Sequence, residues 1–288
     1  MSFGSVFEFS TFELFQRALP DLVFLAESGR PVLALNLGRG TFGEFASRVK
    51  VAEGLITDFD DTLTTVAHVE FLRKLMTPDD LQADLDQRSR WYGTPTLDES
   101  TTAQFVLATA RRLRRLNLKN LVSVARQVSF HPGAPELLHW FAGRKGVVVV
   151  SLGYHDVIIR AVMIQLAANF RKNRVLVAAA EFAWRDGCCS GVDLGTIVAE
   201  ATKGIKALDR CELLGLLTER SLILGDEPRG DRTLFALGGT SVLIFSANDS
   251  IPERIVRRTA ALTEGVWNDL DAVLVTGGTL QPLVDLLR

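Results

Sequence analysis

The sequence of 288 residues predicts an α/β fold in which helices cover both faces of a parallel sheet. Short runs rich in valine, isoleucine and leucine recur along the chain, and segments long enough for a helix separate most of them. Runs that are apolar throughout are typical of strands buried on both faces. The predicted strands are residues 31–37, 54–59, 146–152, 174–179, 221–224, 241–246 and 271–275.

Residues 64–127 interrupt this alternation, because they show helical patterns and no convincing strand. Thr77 precedes Pro78 in a sequence typical of a helix N-cap with proline in the first turn. Further along, the spacing predicts one helix face that contains Phe105, Thr109, Leu113 and Leu116. We therefore predict a helical insertion at this point of the chain.

The insertion divides the chain into three predicted parts. Residues 51–63 and 128–288 form the α/β core, and residues 64–127 form a small helical cap. Residues 1–50 form an N-terminal extension that packs on the core or on a partner. In this extension Phe12, Phe15 and Leu19 share one helical face, and such an apolar face is compatible with a homodimer.

The composition is typical of a globular protein, because 47% of the residues are hydrophobic and 23% are charged. The net charge of −2 disfavours nucleic acid as a partner. Three cysteines form neither a disulfide framework nor a zinc-binding spacing, so we predict a reducing, cytoplasmic setting. We expect no signal peptide and no membrane span.

Polar residues stand where several predicted strands end, at the edge of an open parallel sheet where ligands bind. Three aspartates crowd the end of the strand predicted at 54–59, and like charges so close together repel. A bound cation would offset that cost. The residues that converge on this edge are Asp58, Asp60, Asp61, Ser151, Lys203, Asp226 and Asp231.

The segment Asp58-Phe59-Asp60-Asp61-Thr62-Leu63 resembles the DxDx(T/V) motif of phosphatases in the haloacid dehalogenase (HAD) superfamily. Ser151, Lys203 and the segment from Gly225-Asp226 to Asp231 resemble the second, third and fourth motifs, in the same order. The resemblance covers residues 51–246. It implies a Rossmann-like parallel sheet and a cap inserted after the first motif.

Three further segments are similar to the phosphoserine-phosphatase-like branch of that superfamily. Two features depart from the branch: Ala178-Ala179-Ala180 lacks a frequent asparagine, and Glu70 is only a candidate for contacting a substrate amino group. These departures disfavour phosphoserine as the substrate. The similar segments are His131-Pro132-Gly133-Ala134, Ser151-Leu152-Gly153-Tyr154, and Glu181 through Asp186-Gly187 to Gly191.

The two aspartates of the first motif suit phosphoryl transfer. A carboxylate beside a divalent cation is ionised at neutral pH, so Asp58 can act as the nucleophile. Asp60 lies on the same side of an extended chain, where it can protonate the leaving oxygen and later deprotonate a water molecule. The resemblance implies Mg²⁺ as cofactor, held by Asp58, the backbone carbonyl of Asp60, and Asp226.

Other predicted site residues contact the phosphoryl group or support those that do. Ser151 donates a hydrogen bond to a phosphoryl oxygen, and Lys203 offsets the negative charge that develops there. Asp231 braces Lys203 or a metal-bound water. Thr62 and Gly153 complete the predicted substrate-binding set.

The predicted function is therefore Mg²⁺-dependent hydrolysis of a phosphate monoester of a small metabolite, through an aspartyl-phosphate intermediate. Phosphotransfer to another metabolite and a non-catalytic binding role remain alternatives. So does dinucleotide binding, because the GxGxxG sequence from Gly38 to Gly43 follows a predicted strand and Asp58 stands about twenty residues further on. We favour the phosphatase, because Asp58 has three supporting motifs downstream.

Two further features are given structural interpretations. Arg111, Arg112, Arg114 and Arg115 predict a solvated helix face, since four residues within five positions of a helix cannot point one way. His68 and His155 are interpreted as polar packing residues.

Overall fold

A computed structural model of the chain describes residues 5–93, 98–166, 174–247 and 252–288. The strands are β1 (Ser5–Phe9), β2 (Val32–Asn36), β3 (Gly54–Thr57), β4 (Gly146–Tyr154), β5 (Val175–Ala180), β6 (Phe182–Arg185), β7 (Cys188–Val192), β8 (Ser221–Gly225), β9 (Thr240–Ser246) and β10 (Ala272–Thr276). The helices are α1 (Phe12–Glu27), α2 (Phe42–Val51), α3 (His68–Arg73), α4 (Pro78–Gly93), α5 (Glu99–Arg112), α6 (Leu118–Gln127), α7 (Ala134–Ala142), α8 (His155–Gln165), α9 (Lys203–Leu214), α10 (Arg232–Phe235), α11 (Pro252–Ala261), α12 (Glu264–Trp267) and α13 (Gln281–Leu287).

Eight strands form one sheet in the order β1-β2-β10-β9-β8-β3-β4-β5. Neighbouring strands are parallel except for β2 and β10, which pair antiparallel. The seven predicted strands all lie in this sheet. The predicted α/β fold is confirmed, with one antiparallel junction that the sequence did not reveal.

Both faces of the sheet are buried. In β4, Val147 and Val149 belong to one hydrophobic core, whereas Val148 and Val150 belong to the other. Successive side chains of a strand point to opposite faces, so a strand between two cores needs apolar residues throughout. This burial explains the uninterrupted apolar runs in the sequence.

The N-terminal region contributes to the sheet itself. Strands β1 and β2 form its edge beyond β10, and helix α1 packs on the same part of the sheet. Phe15 and Leu19 are buried, and the Phe15 ring stacks on Trp267 with 4.6 Å between the ring centroids. The extension predicted at residues 1–50 therefore includes two strands of the main sheet within its described part.

Helices α3 to α6 follow β3 and precede β4, in the segment predicted to be a cap. The hydroxyl of Thr77 accepts a hydrogen bond from the backbone N–H of Asp80 at 3.2 Å, which confirms the predicted N-cap of α4. Thr109 and Leu113 are buried, as expected for one face of α5 and its end. The division of the chain into cap and core remains a prediction.

A β-hairpin formed by β6 and β7 packs against helix α5 of this segment. Its turn contains Asp186 and Gly187, both with positive φ (51° and 76°), which an Asp-Gly pair tolerates well. The backbone N–H of Cys189 donates to the carbonyl of Leu116 at 2.9 Å, so the hairpin packs beside α5. The Asp186-Gly187 pair therefore forms the turn of this hairpin.

The glycine sequence from Gly38 to Gly43 does not have the geometry of a dinucleotide-binding fingerprint. That fingerprint requires consecutive parallel strands around one helix, whereas β10, β9 and β8 separate β2 from β3. In addition, Thr41 and Glu44 form a capping box at the start of α2, which engages the backbone N–H groups of these two residues. Among the described helices, none is both long and apolar enough to cross a membrane.

Candidate active site

The carboxyl ends of β3 and β8 lie side by side, because these strands pair in parallel with Thr57 opposite Leu224. Asp58 follows β3, and its backbone N–H donates to the carbonyl of Leu224 at 3.0 Å. Asp226 follows β8 at the same edge. Both aspartates line a cavity of ≈ 180 Å³. Two carboxylates from distant segments therefore meet at the edge where the sequence predicted a site.

Lys203, the first residue of α9, lies between two aspartates at this edge. Its side chain is 2% exposed, and its Nζ is 2.9 Å from Asp58 Oδ2 and 2.5 Å from Asp231 Oδ1. Burial by itself lowers the pKa of Lys203, but the ion pairs with Asp231 and Asp58 more than offset this effect and raise it. Lys203 is therefore a permanently charged cation in contact with the predicted nucleophile.

Asp231 holds both Lys203 and the loop after β8. Its Oδ2 accepts hydrogen bonds from the backbone N–H groups of Asp226 and Glu227, each at 3.0 Å. A Cβ on Gly225 would lie 2.6 Å from that oxygen, so only glycine allows this close approach. The Gly-Asp pair and the downstream aspartate therefore form one structural unit. Asp231 contacts Lys203, as its predicted supporting role requires.

The two oxygens of the Asp226 carboxylate have different side-chain partners. Its Oδ1 accepts a hydrogen bond from the Thr62 hydroxyl at 2.7 Å, and Thr62 is fully buried. Thr62 therefore orients the Asp226 carboxylate, and its predicted role in binding substrate stays a prediction. The other oxygen of Asp226 pairs with the guanidinium of Arg258 on α11.

These carboxylates fit a divalent cation. Oxygen atoms of Asp58, Asp226 and Asp231 lie within 4.8 Å of one another. Burial raises the pKa of Asp58 well above its ordinary value; Lys203 opposes this effect, and Asp231 and Asp226 add to it. Burial likewise raises the pKa of Asp226 to about 7, although Arg258 opposes it. Among the described residues, these three buried carboxyl groups share two buried cations, Lys203 and Arg258. Oxygen donors are the ligands that Mg²⁺ prefers.

Solved structures of known hydrolases resemble this chain. Cytosolic 5'-nucleotidase IIIB bound to cytidine matches with a TM-score of 0.62 and 12% identity, over 93% of this chain and 96% of that one. A phospho-aspartyl intermediate analogue of phosphoserine phosphatase matches with a TM-score of 0.55 and 15% identity, over 83% and 100%. A HAD-family hydrolase from Salmonella enterica serovar Typhi matches with a TM-score of 0.50 and 20% identity, over 67% and 62%.

The chain has the HAD fold. No protein-family model matches the sequence, and no curated protein matches it either. At these low identities the similarity lies in the fold, so the functional argument depends on the residues that this HAD fold brings together.

Asp60 also lines this cavity, beside His68, which the sequence analysis interpreted as a polar packing residue. Asp60 Oδ1 accepts a hydrogen bond from the backbone N–H of His68 at 2.8 Å. The Nδ1 atom of the same histidine lies 2.9 Å from Oδ1 and 3.0 Å from Oδ2. The two residues are eight positions apart in the sequence, a spacing that does not predict contact.

Ser151 and Gly153 also line the cavity, near the end of β4. The Ser151 hydroxyl oxygen accepts a hydrogen bond from the backbone N–H of Gly153 at 3.0 Å, and the side chain is buried. This contact leaves the hydroxyl hydrogen able to donate towards the cavity, as its predicted role requires.

The insertion contributes a charged wall that the sequence did not predict. Arg73 is buried, with Nε 2.8 Å from Asp84 Oδ2 and Nη1 2.6 Å from Glu70 Oε1. Arg88 pairs with the same Glu70 carboxylate. Arg73 and Arg88 both line the cavity. The candidate amino-group contact, Glu70, is thus already paired with two arginines.

The basic run of the insertion is divided. Arg111 and Arg115 are exposed and the Arg114 side chain is 75% exposed, which confirms the predicted solvated face for these three. Arg112 instead turns inward, where its Nη1 donates to the Gln87 side chain at 2.6 Å and lies 3.3 Å from Asp84 Oδ1.

Proposed function

We propose that this chain is a Mg²⁺-dependent phosphatase that hydrolyses a phosphate monoester of a small metabolite. The contact between Lys203 Nζ and Asp58 Oδ2 carries the proposal, because it sets a buried cation beside a nucleophilic carboxylate. Asp226 and Asp60 line the same cavity. The HAD fold, shared with a nucleotidase and with phosphoserine phosphatase, supports the same chemistry.

In the first step, an oxygen of Asp58 attacks phosphorus and forms a P–O bond while the bond to the leaving oxygen breaks. Asp60 donates its proton to that oxygen, so the alcohol departs neutral. Lys203 and the Ser151 hydroxyl stabilise the negative charge on the phosphoryl oxygens during this transfer.

In the second step, Asp60 removes a proton from a water molecule, whose oxygen attacks phosphorus. The bond between phosphorus and Asp58 breaks, inorganic phosphate leaves, and both carboxyl groups return to their starting protonation states. A Mg²⁺ ion held by Asp58 and Asp226 would offset negative charge on the phosphoryl group and keep the nucleophile ionised.

The size of the cavity and the charges on its wall bear on the substrate. A cavity of ≈ 180 Å³ between the sheet edge and the insertion suits a small molecule. Arg73 and Arg88 on its wall would favour an anionic or polar group beyond the phosphate. The cytoplasmic location and the homodimer remain predictions from the sequence.

The test is phosphate release from p-nitrophenyl phosphate and a panel of phosphoserine, nucleoside monophosphates and sugar phosphates, with and without Mg²⁺. Phosphoserine and the nucleoside monophosphates are chosen because structures of phosphoserine phosphatase and of a 5'-nucleotidase resemble this chain. We expect Mg²⁺-dependent release that favours some members of the panel. An added alcohol that receives the phosphoryl group in place of water would identify a phosphotransferase. Absence of turnover from the folded, Mg²⁺-loaded chain across the panel would contradict the proposal.

A further inference from the structure

His68 is the first residue of α3, and it is fully buried beneath the cavity. Its ring stands between two partners on different elements, Asp60 on one side and the backbone of Tyr154 on the other. The edges of the Phe59 and Tyr154 rings enclose it, with centroid distances of 5.9 and 6.0 Å. His68 therefore links the start of the insertion to the end of β4.

The hydrogen bonds define which ring nitrogen carries the proton. The backbone N–H of Tyr154 lies 3.0 Å from His68 Nε2, and an N–H group can only donate. Nε2 must then be the unprotonated acceptor, so the ring hydrogen is on Nδ1. That hydrogen faces the Asp60 carboxylate, at 2.9 Å from Oδ1 and 3.0 Å from Oδ2.

The space around the ring is shaped for this arrangement. A Cβ built on Gly153 would lie 2.0 Å from Cε1 and 2.7 Å from Nε2 of His68, so glycine is required beside the ring. The backbone N–H of His68 also donates to Asp60 Oδ1, at 2.8 Å. Backbone and side chain of one residue thus hold Asp60 from the same side.

We infer that His68 is a positioning residue for Asp60, acting as a neutral imidazole with its hydrogen on Nδ1. It orients the carboxyl group that protonates the leaving oxygen and deprotonates the attacking water. This inference rests on the proposed function for its kinetic consequences. The orientation and tautomer of the ring stand on the hydrogen bonds alone.

The activity-independent test is ¹⁵N NMR of the imidazole rings in the full chain, which has four histidines. The His68→Asn variant assigns the His68 signal by its disappearance. We expect a neutral ring protonated on Nδ1, whereas the opposite tautomer, protonated on Nε2, would overturn the inference. This result is obtained even if the chain releases no phosphate, so the two proposals can fail separately.

The kinetic test compares kcat/KM for an alkyl phosphate with kcat/KM for p-nitrophenyl phosphate. The value of kcat/KM reports the steps up to and including departure of the leaving group. The alkyl substrate needs a proton from Asp60, whereas nitrophenolate leaves without one. We expect His68→Ala to lower kcat/KM on the order of a hundredfold for the alkyl substrate, and much less for the aryl one. His68→Asn, whose amide can donate in place of Nδ1–H, should recover most of the loss.

The matched control is His131→Ala. His131 is also a buried histidine, and its Nδ1 lies 3.0 Å from the carbonyl of Gly278. We expect this control to change kcat/KM for the two substrates by the same factor. Equal losses for both substrates in folded His68→Ala, or no recovery with asparagine, would show that His68 only fills space.

Discussion

The two ends of the same sheet carry buried aspartates in contrasting surroundings. Asp271 stands just before β10, at the amino end, with Oδ1 2.7 Å from Arg48 Nη2 and Oδ2 accepting from the backbone N–H of Ser241 at 2.8 Å. A second arginine, Arg39, lies 3.8 Å from the same Oδ1. This carboxylate therefore has its charge and both of its oxygens satisfied by neighbours.

The carboxyl end differs because its charges do not balance. The buried carboxylates of Asp58, Asp226 and Asp231 share Lys203 and Arg258 as their buried ion-pair partners among the described residues. A phosphate monoester would bring further negative charge to this edge. Burial of an aspartate therefore does not mark a site by itself, whereas buried carboxylates that outnumber their buried cations and face a cavity indicate one.

The largest effect should come from Lys203, since it neutralises both the nucleophile and the phosphoryl group. We expect Lys203→Ala to lower kcat about a hundredfold or more, because one electrostatic donor of this kind contributes roughly 3 to 4 kcal/mol to the barrier. Arg48→Ala removes the matching cation at the amino end and should leave kcat unchanged in the folded fraction. A kcat for Lys203→Ala within about tenfold of wild type would remove Lys203 from the mechanism.

Because removing Lys203 leaves two buried carboxylates unpaired, the variant will also be less stable. Circular dichroism at the assay temperature gives the folded fraction by which kcat is corrected. Lys203→Met, which retains most of the side-chain volume, should show the same loss of kcat. Recovery of activity with methionine would mean that packing, and not charge, explains the alanine result.

Binding of Mg²⁺ distinguishes the two ends of the sheet without any turnover. The ion binds the folded state, so Tm should rise with the Mg²⁺ concentration. At a concentration a hundredfold above Kd, the free energy of unfolding should increase by about 2.7 kcal/mol. Asp226→Asn should abolish most of this rise, because it removes a ligand. Asp271→Asn should lower Tm yet keep the rise in full. An equal response to Mg²⁺ in all three proteins would exclude Asp226 as a ligand.

A smaller effect is expected from pH. The pKa of Asp226 is raised from an ordinary 3.8 to about 7, so the folded state holds this proton more tightly than the unfolded state. The contribution of Asp226 to stability is complete below pH 3.8 and is lost as pH rises through about 7. The Mg²⁺-free protein should therefore lose this contribution over that interval, while stabilisation by Mg²⁺ grows.

Thermal unfolding at a series of pH values, in chelator and in Mg²⁺, measures both trends. Subtracting the Asp226→Asn profile isolates the contribution of this carboxyl group. A difference profile that is flat between pH 4 and pH 8 in chelator would contradict the raised pKa of Asp226.

The sequence predicted the strands well because their signal is local: a strand buried on both faces must be apolar throughout. Strand β1 was missed, since it lies at the sheet edge and none of its residues is fully buried. The antiparallel pairing of β2 with β10 depends on contacts between residues more than 200 positions apart, which no local pattern records.

The site residues also differ in how far the sequence could predict them. Asp58, Ser151 and Asp226 were predictable together because parallel strands deliver their carboxyl ends to one edge. His68 and Arg258 were not, because helix packing brings them into the site and their sequence neighbours carry no motif. Thr62 was predicted to bind substrate, which stays a prediction, and the fold turns its hydroxyl towards Asp226.

The most direct test of the central claim is to locate the phosphoryl group during turnover. The enzyme is quenched in acid while hydrolysing its best substrate with Mg²⁺, and its peptides are analysed by mass spectrometry. We predict a phosphoryl group on Asp58 in the wild type and in Asp271→Asn, and none in Asp58→Asn, which should also release no phosphate. Steady turnover with the phosphoryl group on another residue, or undiminished turnover by Asp58→Asn, would contradict the account.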